Sequence, residues 1–235
     1  MESMFEILMQ LPLFQGVSRN KISELIEKTK FHFLKYAPGE PIVRRGEECT
    51  HLKFLISGSV RSEMVNKNGK IKISEIIHSP NVLAPNHMFG KNTTYPADLY
   101  AVESTGIMQI DKVTFIQIMQ GESIFLINLL NILSRRSQKS LETFLSISSG
   151  EMKEKLAFWV LSFSQRKSTD IRIICRQKDL YSFFGVQRSV FINALNELKE
   201  AGIIDYNSKE IIILDRDRLR EILQGEEEDI AEEGF

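Results

Sequence analysis

Four side chains within seven positions are of the types that read base edges: Gln187, Arg188, Ser189 and Asn193. An arginine can bond guanine twice at once, an asparagine suits adenine, and serine and glutamine take either role at a groove edge. They fall inside the stretch Gln177–Ile204, QKDLYSFFGVQRSVFINALNELKEAGII, which reads as two short helices broken by Gly185. A chain turning between two helices there needs a positive φ, which glycine adopts cheaply. Leu180, Phe184 and Val186 before and at the break can pack against Phe191, Leu195 and Leu198 after it. That pattern is a helix-turn-helix with its polar reach at the start of the second helix. An ordinary packed helix pair with a polar face shares the same pattern.

No other chemistry competes strongly. No Ser/His/Asp set, phosphate loop or paired metal ligands stands at meaningful spacing, so an enzyme is not expected. His32, His51, His78 and His87 all lie in the first half, none beside a clear nucleophile. Cys49 and Cys175 are far apart and neither has a CxxC partner, which supports neither a disulfide framework nor structural zinc. The 235 residues, 43% hydrophobic and 26% charged, are those of a globular protein with one large or two medium domains. The net charge of −1 means that any nucleic-acid face must be a local patch. Residues 150–224 hold 13 lysines and arginines against 11 acids, and residues 225–235 add six acids and no base. That end is expected to be a solvated acidic tail. The start MESMFEILMQLPLF is not expected to be a signal peptide, and no apolar run approaches the roughly 20 residues of a membrane span. A cytoplasmic location and no membrane partner are therefore expected.

The elements that position the polar quartet belong to an α+β chain. Helical spacing covers 5–11 and 17–30, with Ser18 as N-cap. From Phe31 short apolar runs alternate with turn pairs such as Pro38-Gly39, Arg45-Gly46, Ser57-Gly58 and Asn68-Gly69, which predicts an all-β sandwich or roll. The clearest hairpin turns at Asn68-Gly69, and 102–110 reads as the closing strand. Between Gly121 and Gly150 there is no glycine or proline, so 122–149 predicts one helix of about 40 Å. On it Ile127, Leu130, Ser134, Ser137, Leu141 and Phe144 follow a 3-4-3-4-3 spacing, the seam of a two-stranded coiled coil. Ile124, Phe125, Leu129, Ile132 and Leu133 form a second apolar face that can cover the roll. After it come a helix over 151–166, a short strand at 171–174, the helix pair, a hairpin about Asn207-Ser208-Lys209 that forms a wing, and a last helix to Leu223 capped by Asp215.

The run PGEPIVRRGEECTHLKFLISGSVRSEMV, with Pro38-Gly39-Glu40, Arg45-Gly46-Glu47 and Ile56-Ser57-Gly58-Ser59-Val60, resembles the cyclic-nucleotide-binding-like β-roll of the CRP/FNR transcription regulators. The order of roll, long helix and winged helix-turn-helix carries the resemblance over nearly the whole chain. It implies a sensor roll over 1–120, a dimerisation helix over 121–149 and a DNA-binding domain over 150–224. It implies a homodimeric, sequence-specific regulator of transcription whose partners are double-stranded DNA, a second copy of itself and RNA polymerase. A roll module that acts through a protein partner without DNA is the alternative. In one well-known member of the family the recognition helix begins Gly-Cys-Ser-Arg-Glu-Thr-Val-Gly-Arg, against which stand Gly185, Val186, Gln187, Arg188, Ser189, Val190, Phe191, Ile192 and Asn193. Arg188 keeps the first base-reading arginine, whereas Ser189 and Asn193 replace a glutamate and a second arginine, so the operator should differ. Arg176 and Gln177 match phosphate-contacting positions at the start of the first helix, and Lys209 in the wing turn is a third phosphate candidate. Tyr181 departs from the small residue usual at the helix crossing. The cyclic AMP cassette, a Gly-Glu pair followed by an arginine, is replaced by MFGKNTTYPADLYAV: Lys91 follows Gly90, and no arginine lies between Arg61 and Arg135. A cyclic phosphate would lack its bidentate partner, so cyclic AMP is not expected. The roll either takes an unknown small ligand or binds nothing and serves as a dimerisation and scaffold domain. Gly58, Phe89, Gly90, Lys91, Asn92 and Tyr95 are the candidate effector pocket. Family members with an iron–sulfur cluster hold it with cysteines near the N-terminus. Residues 1–48 have none, which excludes that mode, while haem has the four histidines as candidates by type alone.

Overall fold

The computed structural model describes residues 4–165 and 168–223, and its helices and strands form an α+β chain that gathers into two compact units. The first unit holds the chain up to Ser62 together with Ile77–Arg136; the second holds Glu63–Ile76 and the chain from Ser137 onward. Among the described residues no single helix is long and apolar enough to cross a membrane.

The first unit opens with α1 (Met4–Met9) and α2 (Arg19–Lys28). Ser18 caps α2, its Oγ accepting from the Lys21 N–H at 3.3 Å and so satisfying one of the orphan donors of the first turn. Eight strands follow: β1 (His32–Tyr36), β2 (Pro41–Val43), β3 (His51–Ser57), β4 (Ser59–Val65), β5 (Lys72–His78), β6 (Asn81–Leu83), β7 (Asp98–Ala101) and β8 (Thr105–Asp111). They form an antiparallel sandwich, one sheet of which has the order β1-β8-β3-β6. Its core is built by alternation: on β3 the buried Leu52 and Phe54 straddle the half-exposed Lys53. Phe14 meets Phe54 and Phe125 edge to face, each at 5.6 Å between ring centroids.

Of the expected closing strand 102–110, residues 105–110 lie in β8, while 102–104 form the bend that separates it from β7. β7 ends at Ala101 and β8 starts at Thr105. The buried Thr105 hydroxyl bonds at the bend to the carbonyls of Ser59 at 3.0 Å and Glu103 at 2.9 Å, and Val102 is left exposed. Local side-chain bonding of this kind competes with a continuous ladder.

α3 (Lys112–Gly121) follows, capped by Asp111, whose carboxylate accepts from the Thr114 N–H at 2.9 Å. α4 (Ser123–Ser149) is the long helix, starting one residue later than its pattern suggested. In its first half the face with Phe125 and Leu129 is buried, and the Asn128 amide donates to the carbonyls of Leu13 at 3.0 Å and Gln15 at 2.9 Å.

The second unit contains α5 (Met152–Phe163), β9 (Thr169–Ile174), α6 (Gln177–Phe183), α7 (Arg188–Glu200), β10 (Ile204–Tyr206), β11 (Glu210–Ile213) and α8 (Arg216–Glu221). α5 starts with a capping box between Glu151 and Glu154 and ends at Phe163, short of residue 166, which lies outside the described residues. Asp215 caps α8 through the N–H groups of Asp217 at 3.1 Å and Arg218 at 2.9 Å. That helix stops before Leu223. The expected acidic tail, 225–235, lies outside the described residues.

The sheet of this unit has the order β10-β11-β9-β5. The first three strands are the expected wing and its base. The fourth comes from the tip of the β4–β5 hairpin, with Lys72 opposite Ile174, Ile73 opposite Ile173 and Ser74 opposite Arg172. Ile71 joins the core formed by Leu156, Val160, Ile173, Phe191, Leu195 and Ile211.

Candidate nucleic-acid interface

α7 is held from beneath. Phe191, Ala194, Leu195 and Leu198 are its buried face, spaced three and four apart. Gln187 caps the helix start, Arg188 flanks the buried face, Ser189 and Asn193 fall opposite it, and all four are exposed. Gln187 is the N-cap by its backbone, but its amide makes no capping bond, so the amide is not spent on closing the helix. Gly185 has φ +66°, and a Cβ built there would meet nothing within 4 Å. Backbone conformation, not space, is therefore what asks for glycine. The turn is closed by the Gly185 N–H on the Ser182 carbonyl at 3.3 Å and the Val186 N–H on the Tyr181 carbonyl at 3.0 Å.

Tyr181, out of place by type, is accommodated by packing. Its ring lies half-buried and tilted against Phe191, 6.4 Å between centroids. Phe184 stacks on the other side of Phe191 at 6.5 Å, so the crossing of α6 and α7 is filled by aromatic area.

The phosphate candidates come together at one end of the sheet. Cys175, the residue after β9, donates its N–H to the Lys209 carbonyl at 2.8 Å, which sets Arg176 beside the wing turn. The Gln177 amide donates to the Asn207 carbonyl at 3.2 Å and ties the start of α6 to that turn. Asn207 in turn accepts from the Lys209 N–H at 2.8 Å, leaving the Lys209 side chain exposed. Arg176 is exposed but engaged: its guanidinium grips Asp179 at 2.8 Å and 3.3 Å. That bond holds the Asp179 carboxyl below the usual carboxylate range. A phosphate at Arg176 must compete with Asp179. Cys175 sits under this edge with its thiol pushed up to about 11, by burial first and by Asp179 second, so it is a packed thiol rather than a nucleophile.

In the roll the six candidate effector residues have diverse surroundings. Gly58 (φ +78°) is a close approach, where a Cβ would come within 2.7 Å of the Ser104 carbonyl. Phe89 lies under the Lys112 ammonium, 5.0 Å from its ring centroid. Gly90, Lys91 and Asn92 are exposed on the loop beyond it, while Tyr95 is buried with its hydroxyl on the His51 carbonyl at 3.4 Å. Of the four histidines, His32 and His51 meet edge to face at 6.5 Å. His87 Nδ1 is the buried side-chain nitrogen left without a partner among the described residues. No sequence signal distinguished it from its fellow histidines.

On α4 the whole 3-4-3-4-3 seam is exposed: Ile127 at 55%, Leu130 at 52%, Leu141 at 61% and Phe144 at 70%, with Ser134 and Ser137 between them. So long an exposed apolar stripe on one helix is unusual for a monomer.

Comparison with known proteins follows the same division. Residues 33–122 match the family of cyclic nucleotide-binding domains, and residues 154–222 match the Crp-like helix-turn-helix domain. A CRP-like cAMP-activated global transcriptional regulator of Mycobacterium tuberculosis is 22% identical over 227 residues, 92% of this chain and 98% of that protein. The rice potassium channel AKT1 is 26% identical over 144 residues, 58% of this chain, but the chain spans only 14% of the channel's length. The catabolite activator protein of Thermus thermophilus shares the fold, with a TM-score of 0.52 at 20% identity over 90% of this chain and 97% of that one. A nucleotide-binding-type roll can sit in a channel or in a regulator, but here it is followed by the regulator's own helix-turn-helix module. The chain belongs to the CRP/FNR family of transcription regulators, which are not enzymes.

Proposed function

We propose that the protein is a homodimeric, sequence-specific DNA-binding regulator that reads one major groove with each copy of α7. One observation carries this reading: four hydrogen-bonding side chains, Gln187, Arg188, Ser189 and Asn193, stand exposed on the first turns of a helix whose other face is buried. Arg188 takes guanine, Asn193 takes adenine, and Gln187 and Ser189 add adaptable contacts. Arg176, Gln177 and Lys209 fix the register on the backbone without reading sequence. The exposed stripe Ile127, Leu130, Ser134, Ser137, Leu141 and Phe144 supports a two-stranded pairing of α4 with its copy.

Cyclic AMP is not the effector in this reading. The tuberculosis relative is named as cAMP-activated. In this chain Lys91 follows Gly90 and no arginine stands between Arg61 and Arg135. A point charge cannot reproduce the two parallel bonds of a guanidinium on a phosphate. Action on transcription brings RNA polymerase in as a partner, and genomic DNA places the protein in the cytoplasm.

Footprinting with the purified protein on DNA upstream of its own gene tests the reading. Two protected half-sites about one helical turn apart are expected. Uniform cleavage at every protein concentration would mean that α7 does not read DNA.

A further inference from the structure

We propose that the turn of the β4–β5 hairpin is a second wing, which adds Lys67 and Lys70 to the phosphate contacts of the DNA-binding unit. The proposal rests on the reading of α7 as a DNA reader and extends its footprint. The turn lies in the same compact unit as α7, because Glu63–Ile76 group with the chain from Ser137 onward.

The register fixes where the turn points. Lys72 on β5 is opposite Ile174 on β9, and Ile174 is opposite Glu210 on β11. β5 and β11 both run into the sheet from this row, while β9 runs out of it. Lys70, Arg176 and Lys209 therefore emerge from one end of three neighbouring strands. At about 4.8 Å between strands, Lys70 and Lys209 are separated by roughly 10 Å across the sheet, with Arg176 between them. Asp179 registers both basic neighbours: the Arg176 hydrogen bond lowers its carboxyl first, and the charges of Lys70 and Lys178 act in the same direction.

The two turns share one construction. In Asn207-Ser208-Lys209 the asparagine side chain accepts from the lysine N–H at 2.8 Å, and in Asn68-Gly69-Lys70 it does so at 3.1 Å. The second turn is further fixed by Asn66, whose carbonyl oxygen accepts from Gly69 N–H at 3.1 Å and whose side chain accepts from Lys70 N–H at 3.0 Å and Ile71 N–H at 3.2 Å. Gly69 has φ +71°, which suits that tight return. All of these bonds use backbone N–H groups, so the ammonium groups of Lys70 and Lys67 are left exposed on a pre-organised turn. Lys72, by contrast, is occupied by Glu63 at 2.7 Å. Two fixed, exposed lysines continuing a row of phosphate candidates fit a polyanion, and the nearest polyanion in this reading is the duplex held by α7.

The test titrates the full-length protein into two labelled duplexes over a range of salt: the DNA upstream of its own gene, and a scrambled duplex of the same composition. In the Lys67→Ala/Lys70→Ala variant the slope of log affinity against log salt should become shallower by about 0.9 for each phosphate no longer neutralised, on both duplexes alike. Lys67→Glu/Lys70→Glu should weaken both further. Arg188→Ala should reduce the preference for the upstream duplex and leave the scrambled one nearly unchanged. Unaltered slopes in both lysine variants, with Arg188→Ala still losing preference, would overturn the second wing and keep the α7 reading. If the wild-type protein retains neither duplex at low salt, both fall together.

Discussion

Arg188 is the proposed base reader with the sharpest expectation, an exposed side chain on a helix whose other face is buried. Phe191 is fully buried one turn on, so packing fixes the helix backbone from which Arg188 projects. Arg188→Ala should cost about 1–3 kcal/mol at one base pair of the operator and little at the others, measured by binding to singly substituted duplexes. A loss spread evenly over all sequences would make Arg188 a phosphate contact instead. Glu75 is the opposite case, a charge where a strand pattern offers only another alternating residue. It is 3% exposed, and its carboxylate accepts from the Gln165 N–H at 2.8 Å. Burial raises its pKa from the ordinary 4.5, against the pull of Gln165, Ser168 and Arg216. Because the folded pKa lies above the unfolded one, the folded state holds the proton more tightly. The stability contributed by this group is then complete below 4.5 and lost as pH rises through the folded value. Glu75→Gln keeps an acceptor oxygen and removes the charge. Its denaturation midpoint should rise relative to wild type across that window, whereas Glu75→Ala should cost roughly 1–3 kcal/mol by orphaning the Gln165 N–H. A wild type and Glu75→Gln pair with parallel pH profiles would show that Glu75 does not titrate differently on folding.

At the scale of elements, local pattern and long-range pairing separate cleanly. Gly185 ended a helix as its type required, and Gly185→Ala should destabilise the DNA-binding unit by about 1 kcal/mol in thermal melts, through φ alone, since no neighbour obstructs the added carbon. α4 wears its two faces openly in the sequence: the residues that meet the roll, Phe125 and Leu129, and the exposed stripe Ile127, Leu130, Leu141 and Phe144 fall on different spacings. Leu130→Asp with Leu141→Asp should shift the protein toward monomer in sedimentation and remove the dependence of its melting on protein concentration, while the monomer still folds because neither residue is buried within the chain. A variant that still sediments as wild type would remove α4 as the interface. Periodicity made the helices, the Asn68-Gly69 hairpin and the wing legible, because each depends on neighbours in the chain. The pairing of β5 with β9 was not, because Lys72 and Ile174 are remote in sequence and nothing in either strand names its partner. The polar quartet of α7 was readable from residue type, but its continuation across the sheet edge to Lys70 needed that pairing first. The closing strand was placed three residues too early, at Val102, because the bonds of Thr105 that set the bend before β8 reach the carbonyls of Ser59 and Glu103 and leave no mark in the pattern.

The whole molecule carries a net charge of −1, so in the proposed reading a hold on DNA rests on a local basic patch and on geometry rather than on bulk attraction. On the proposed reading a single copy of α7 offers four reading side chains, which is a short message for a genome. Two copies related by a two-fold axis double the message and add a constraint, since both helices must face the same side of the duplex about 34 Å apart. Symmetry of the protein then demands an inverted repeat in the operator. The spacing between half-sites becomes a property of the dimer rather than of any residue. Inserting half a helical turn, about 5 base pairs, between the half-sites rotates one of them to the far side of the duplex. Affinity should drop to that of a single half-site, because the second α7 can no longer reach base edges without twisting the DNA. Inserting a full turn restores the face but lengthens the span beyond what a dimer of fixed geometry reaches, so it should recover little. A gel-shift series over these spacers reads the dimer directly: equal affinity at every spacing would mean that each copy binds alone, and that the exposed stripe of α4 serves something other than joining two readers.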